Sequence, residues 1–231
     1  MKPQEVYNPE IFEWPELERL KLEKEAIGFY ITGHPLDRYA EDLRRFANGT
    51  IGSLESKGHR AEVTVGCVVT AVRERPLRDG SGRMAFVTVE DLTGQVEMMV
   101  SARVFMEAET ALKADVPLLV KMQVSMDRDE EGNQNLRVRC VEVRSISDAR
   151  KERTRGVVLS VQDSLLDDRR LVALKQLFER HPGQCVVRMM VEVPRTAEVA
   201  IDLPADLRLE PSDEVVDRVE QLFGAGTVSF R

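Results

Sequence analysis

The stretch M-A-F-V-T-V-E-D-L-T-G-Q-V-E, Met84 to Glu97, decides the fold. From Met84 to Glu90 small, apolar and polar side chains alternate, the period of a half-buried strand. Asp91-Leu92-Thr93-Gly94 has the composition of a tight turn, and Gln95 to Val100 starts a further strand. Working outward, Ala61 to Val72 reads A-E-V-T-V-G-C-V-V-T-A-V, with Val63, Val65, Cys67 and Val69 in alternation. Gly66 in that run fits a sharp bend at a barrel corner. A loop, R-E-R-P-L-R-D-G-S-G-R from Arg73 to Arg83, joins the first two strands. Ala102 to Lys113 reads as a helix, Pro117 to Met126 as a fourth strand and Leu136 to Val143 as a fifth. The acidic loop from Asp127 to Asn135 separates the last two. Five strands with a helix between the third and the fourth is the order of an OB-fold barrel, assigned to residues 61–146.

The flanks differ in period. Residues 1–60 are a linker followed by a helical lead-in: Leu17, Leu20, Leu22, Ile27 and Tyr30 recur at helical spacing, and Gly33 and Pro35 end the helix. Asp37 caps a second helix that carries Tyr39, Leu43 and Phe46. Residues 147–155, S-D-A-R-K-E-R-T-R, hold no apolar residue but Ala149 and read as a linker. Residues 156–231 then alternate strands with amphipathic helices and read as a small α+β domain. The fold class is mixed α and β: lead-in, barrel, terminal domain.

Composition narrows the function. Hydrophobic residues make up 42%, enough for real cores, and charged residues 32%. The net charge of -7 excludes a whole-surface basic footprint, so any nucleic-acid contact must use a local strip of cations. Aromatics are only 5%, thin for a protein that stacks several bases. Cys67, Cys140 and Cys185 are dispersed in apolar runs and read as buried thiols, in keeping with a cytoplasmic setting. No apolar run approaches the roughly 18 residues of a membrane span. The histidines and cysteines have no zinc spacing. D-R-D-E-E-G does not match a calcium loop, and Asp167-Asp168 reads as a helix start. No catalytic constellation appears, and no cofactor is expected.

The irregular run Glu23 to Leu36, E-K-E-A-I-G-F-Y-I-T-G-H-P-L, carries a resemblance together with the barrel stretch above and three terminal pieces: L-x-x-L-K at Leu171 to Lys175, H-P-G at His181 to Gly183 and V-E-Q-L-F-G at Val219 to Gly224. In this order they resemble the C-terminal region of the bacterial replicative DNA polymerase III alpha subunit. The resemblance implies an OB-fold that contacts single-stranded template and a terminal domain that docks the tau subunit of the clamp loader. It places the sliding-clamp peptide upstream of this chain. The nucleotidyltransferase site of the parent DNA-directed polymerase is not expected here. An RNA-binding module of the tRNA anticodon type and a pure protein-assembly module stand as alternatives.

The nucleic-acid candidates are Arg73, Arg75, Arg78 and Arg83 in the loop after the first strand, whose guanidiniums suit phosphate. Arg137 and Arg139 share one face of the fifth strand, and Lys121 and Gln123 one face of the fourth. Phe86 is either a stacking platform or a core residue, since Ala85 and Val87 leave its face open. His34 reads as structural. Gln176-Leu177-Phe178 and Gln221-Leu222-Phe223 resemble clamp-binding peptides but sit on helices, where core packing explains them. Val228 and Phe230 are candidate exposed anchors for the terminal domain's partner.

Overall fold

The computed structural model describes residues 16–128 and 134–231. The expected linker at the start of the chain and Asp129, Glu130 and Glu131 of the acidic loop lie outside the described residues. The chain divides into two compact units, one ending at Val143 and the other spanning Arg144–Arg231.

In the first unit, α1 (Glu16–Ile27) and α2 (Ala40–Phe46) precede β1 (Glu62–Pro76), β2 (Arg83–Asp91) and β3 (Gly94–Val100). Then come α3 (Ala102–Leu112), β4 (Leu118–Arg128) and β5 (Gln134–Ser145). The strands close in the order β1-β2-β3-β5-β4, the five-stranded OB-fold barrel that the sequence predicts. Alternation builds its core: Val63, Val65 and Cys67 face in from β1, Ala85, Val87 and Val89 from β2, and Met98 and Val100 from β3. Phe105 and Leu112 of α3 join the same cluster. Burial drives both barrel thiols up, Cys140 to about 12, so neither is a nucleophile near neutral pH.

Two local expectations change. The stretch from Arg73 to Arg83 is not all loop: β1 runs on to Pro76, paired with Arg83 of β2, and the turn is only residues 77–82. Long polar strand ends of a hairpin look like loop in sequence because neither face is buried. Gly66 serves close packing. A Cβ there would lie 2.1 Å from Leu43 Cδ2 of α2, whereas the strand irregularity falls later, between Val69 and Ala71.

The Asp91 turn is a junction. Asp91 Oδ1 accepts from the backbone N–H of Thr93 at 2.7 Å and of Gly94 at 3.1 Å. Its Oδ2 accepts from Ile51 N–H at 2.8 Å, so one carboxylate closes the hairpin and fastens the segment before β1. The lead-in is fixed likewise. Glu23 accepts from Ile31 N–H, Thr32 N–H and the Thr32 hydroxyl, and Lys24 bonds Glu90 of β2 at 2.6 Å.

The second unit comprises α4 (Ile146–Arg153), β6 (Gly156–Gln162), α5 (Asp168–Arg180), β7 (Pro182–Val193), β8 (Ala197–Asp202), α6 (Asp213–Phe223) and β9 (Val228–Phe230). Its sheet has the order β8-β7-β6-β9, with β6 and β7 parallel across α5 and both outer strands antiparallel to their neighbours. This is the predicted α+β unit. Asp167 and Ser212 cap α5 and α6 by accepting from Arg170 and Val215 N–H. Phe178 and Phe223 of the two clamp-peptide look-alikes are buried in the core.

The stretch expected to be a linker, 147–155, is instead mostly the helix α4, buried at Ile146, Ala149 and Arg150. Arg150 is 2% exposed; it bonds Asp213 at 2.6 Å and lies 4.5 Å from the centre of the Phe230 ring. A helix whose inward face is an isoleucine, an alanine and an arginine escapes a search for apolar periodicity.

Candidate nucleic-acid interface

The barrel places one strip of outward side chains across four strands. Register pairs Arg73 with Phe86, Phe86 with Met99 and Met99 with Arg139. Three of the four have inward neighbours: Ala85 and Val87 flank Phe86, Met98 and Val100 flank Met99, and Val138 and Cys140 flank Arg139. The strip follows from alternation alone, and it settles the Phe86 question in favour of the outer face. The guanidiniums of Arg73 and Arg75 stand 5.2 Å and 5.3 Å from the Phe86 ring centre, so the platform is flanked by two cations.

Carboxylates sort the cationic candidates. Arg73 bonds Glu97 at 3.0 Å, Lys121 bonds Glu62 at 2.7 Å and Arg137 bonds Asp127 at 2.9 Å. Each pair is solvent-exposed and screened by water, and so open to exchange for a phosphate. Arg83 is more firmly held. It bonds Glu74 and Glu109, and both carboxylates also take Lys113 at 2.7 Å. Hydrogen bonds from Lys113 first, with the Arg83 charge, hold Glu74 and Glu109 below the ordinary carboxylate range. This four-member cluster clamps the β1–β2 hairpin to α3 and makes Arg83 a structural cation. Arg75, Arg78 and Arg139 are exposed and have no ion pair among the described residues.

The sequence missed Met99, legible in retrospect because Met98 and Val100 both point inward. It also missed an open polar pocket lined by His59, Arg60, Gln123, Ser125 and Arg139. Strand alternation offers Gln123 and Arg139; nothing in the sequence signals that His59, Arg60 and Ser125 join them, because the pocket joins the approach to β1 with β4 and β5.

His34 has the structural place expected of it. Its Nδ1 accepts from Leu36 N–H at 3.1 Å, and its backbone N–H donates to Asp37 Oδ2 at 2.6 Å. Burial pushes its pKa down. Val228 and Phe230, expected to be exposed anchors, are half-buried against the core of their own unit. In a three-residue edge strand beside β6 their side chains complete that core. Among the described residues no group of three or more His, Cys, Asp and Glu side chains could hold a metal ion. No described helix is long and apolar enough to cross a membrane.

No protein-family model matches the chain. Curated relatives do. The chain is 33% identical over 211 residues to the DNA polymerase III subunit alpha of Pseudomonas fluorescens, covering 91% of this chain and 17% of that protein. It is 29% identical over 231 residues to that of Vibrio cholerae, covering 99% and 20%, and 29% identical over 218 residues to that of Escherichia coli K12, covering 94% and 18%. The chain thus spans under a quarter of the length of the relatives it matches. Among solved structures, a mitochondrial single-stranded DNA binding protein of S. cerevisiae aligns over 37% of this chain and 95% of its own, with 8% identity and a TM-score of 0.30, too low to argue from. The relatives and the barrel-plus-α+β organisation together make this chain a homologue of one segment of the DNA polymerase III alpha subunit, consistent with its C-terminal region.

Proposed function

We propose that this chain is a non-catalytic part of a replicative polymerase, working in the bacterial cytoplasm, whose barrel holds single-stranded template. Phe86 stacks a base, while Arg75, Arg78 and Arg139 meet phosphates. Arg73, Lys121 and Arg137 exchange their carboxylates for phosphate as the strand arrives. The observation that carries this reading is the strip Arg73–Phe86–Met99–Arg139, an aromatic between guanidiniums on a continuous outer face. Single strands need such an arrangement: a π-face for any base and cations along the backbone.

The second unit, residues 144–231, docks the tau subunit of the clamp loader in this reading, and the sliding clamp is met through a segment outside this chain. Both partners are what the resemblance to the alpha subunit's C-terminal region implies. Because Val228 and Phe230 are half-buried, they contribute edges to that dock rather than protruding anchors.

The test is a titration of labelled single-stranded DNA, duplex DNA and tRNA at two salt concentrations, repeated with Arg75→Ala/Arg78→Ala. A salt-sensitive preference for single strands that weakens in the variant is expected. Preference for tRNA would favour an RNA module, and no binding to any of the three would favour a protein-assembly module.

A further inference from the structure

We infer that the pocket of His59, Arg60, Gln123, Ser125 and Arg139 is a second subsite on the same track, taking a phosphodiester group of the strand. This rests on the proposed function and extends it beyond the Phe86 platform. Arg139 belongs to both the outward strip and the pocket lining, so the two are continuous on the barrel.

Three observations point to a phosphate. The lining is rich in donors: two guanidiniums, an imidazole and an amide, with no carboxylate among them, while the Ser125 hydroxyl donates to Arg137 O at 3.4 Å. In the unbound chain two carboxylates on the flanking strands are engaged by cations of their own. Glu62, opposite Gln123 in register, bonds Lys121, and Asp127 bonds Arg137. Finally, Arg60 has a left-handed backbone, with φ of 63°. Glycine or asparagine adopts that conformation at less cost. Here it is held by Arg60 N–H donating to Val124 O at 2.8 Å and Val124 N–H donating to Ala61 O at 2.9 Å. An arginine fixed in a costly conformation beside a second arginine places two positive charges at one polar opening. Arg60 is exposed, so its fixed main chain positions a charge and buries no side chain.

The phosphate could belong to the strand or to a small free anion, and two probes separate these. The full chain, isotope-labelled, is titrated with inorganic phosphate and then with oligo-dT of increasing length. The signals of Arg60, Ser125, Arg139 and Phe86 are followed. The double variant Arg60→Gln/Gln123→Ala removes pocket donors and leaves the strip intact. For wild type, pocket signals are expected to move weakly with phosphate and strongly with long oligomers. The variant is expected to lose roughly tenfold in affinity for long oligomers, keep its affinity for the shortest ones, and show a salt slope shallower by about 0.7. Oligomers that shift Phe86 while the pocket stays silent overturn the subsite and leave the proposed function standing. Pocket signals that answer phosphate when no oligomer binds overturn the strand as its ligand and the proposed function with it. Silence toward both probes overturns both.

Discussion

The outer face of the barrel and the face of the terminal sheet turned away from its helices share one pattern of alternation and serve different chemistry. On β7 of the terminal sheet, Cys185, Val187, Met189 and Val191 pack inward, leaving Val186, Arg188, Met190 and Glu192 on the other face. Arg188 there is fully answered: Asp202 takes its Nε at 2.6 Å and its second nitrogen at 3.1 Å. That bidentate hydrogen bonding holds Asp202 below the usual carboxylate range. All three phenylalanines of the terminal unit, Phe178, Phe223 and Phe230, pack on its core. On the barrel, Phe86 lies outside between two guanidiniums, and Arg75, Arg78 and Arg139 lack an ion pair among the described residues. Net charge does not explain the contrast, since the unit that carries the cationic strip is the more acidic one, with 19 basic and 25 acidic residues against 14 and 15 in the terminal unit. The pairing of cations and the placement of aromatics do.

The contrast can be broken most forcefully at Arg150. Arg150→Ala removes a buried side chain together with its ion pair to Asp213 and uncovers the Phe230 ring, at a cost of about 2–3 kcal/mol. Thermal unfolding followed by signals from each unit should show the terminal unit melting early and the barrel unchanged. If both shift together, the units are not independent in stability.

Phe86→Ala tests the barrel side. Stacking is worth about 1–3 kcal/mol per base, so affinity for single strands should fall roughly five- to hundredfold with the melting temperature nearly unchanged. The matching change of Arg188→Ala on the terminal sheet should leave that affinity alone. Gly66→Ala forces Leu43 of α2 aside and should cost about 1–3 kcal/mol of barrel stability by chemical denaturation. Its effect on binding should be small.

Smaller effects come from the carboxylates. Glu97→Gln releases Arg73 for phosphate and should tighten strand binding by less than about 1 kcal/mol, with a steeper salt dependence. Glu74 and Glu109 have depressed pKa values in the folded chain. Their contribution is therefore present above the ordinary carboxylate value and lost as pH falls through the folded one. Protection factors, that is exchange normalised to the intrinsic rate at each pH, should fall at the β1–β2 end and in α3 on acidification from about pH 5 to about pH 3, and less so in Glu74→Gln. His34 acts with the same sign and in another window. Its pKa is lowered, so the Tyr30–Leu36 turn should loosen as pH drops below the ordinary histidine value of 6.5.

Much of this was legible in the sequence. Period-two runs gave the strands, Asp91-Leu92-Thr93-Gly94 the hairpin, and Asp167 a helix start, because local backbone chemistry decides each. What escaped depended on tertiary neighbours. Whether Arg83 is free or clamped turns on Glu109 of α3, far away in sequence. Whether 147–155 is linker or helix turns on Asp213 receiving Arg150. The pocket at Arg60 needs β4 and β5 beside the approach to β1, together with a left-handed residue that no composition rule marks.

The most direct measurement is a hydrogen-exchange footprint of the full chain with and without saturating oligo-dT. Slowed exchange is expected along β1, β2, β3 and β5 around Arg73, Phe86, Met99 and Arg139, and none within residues 144–231. Protection centred on the terminal sheet, with the barrel strip unchanged, would contradict it.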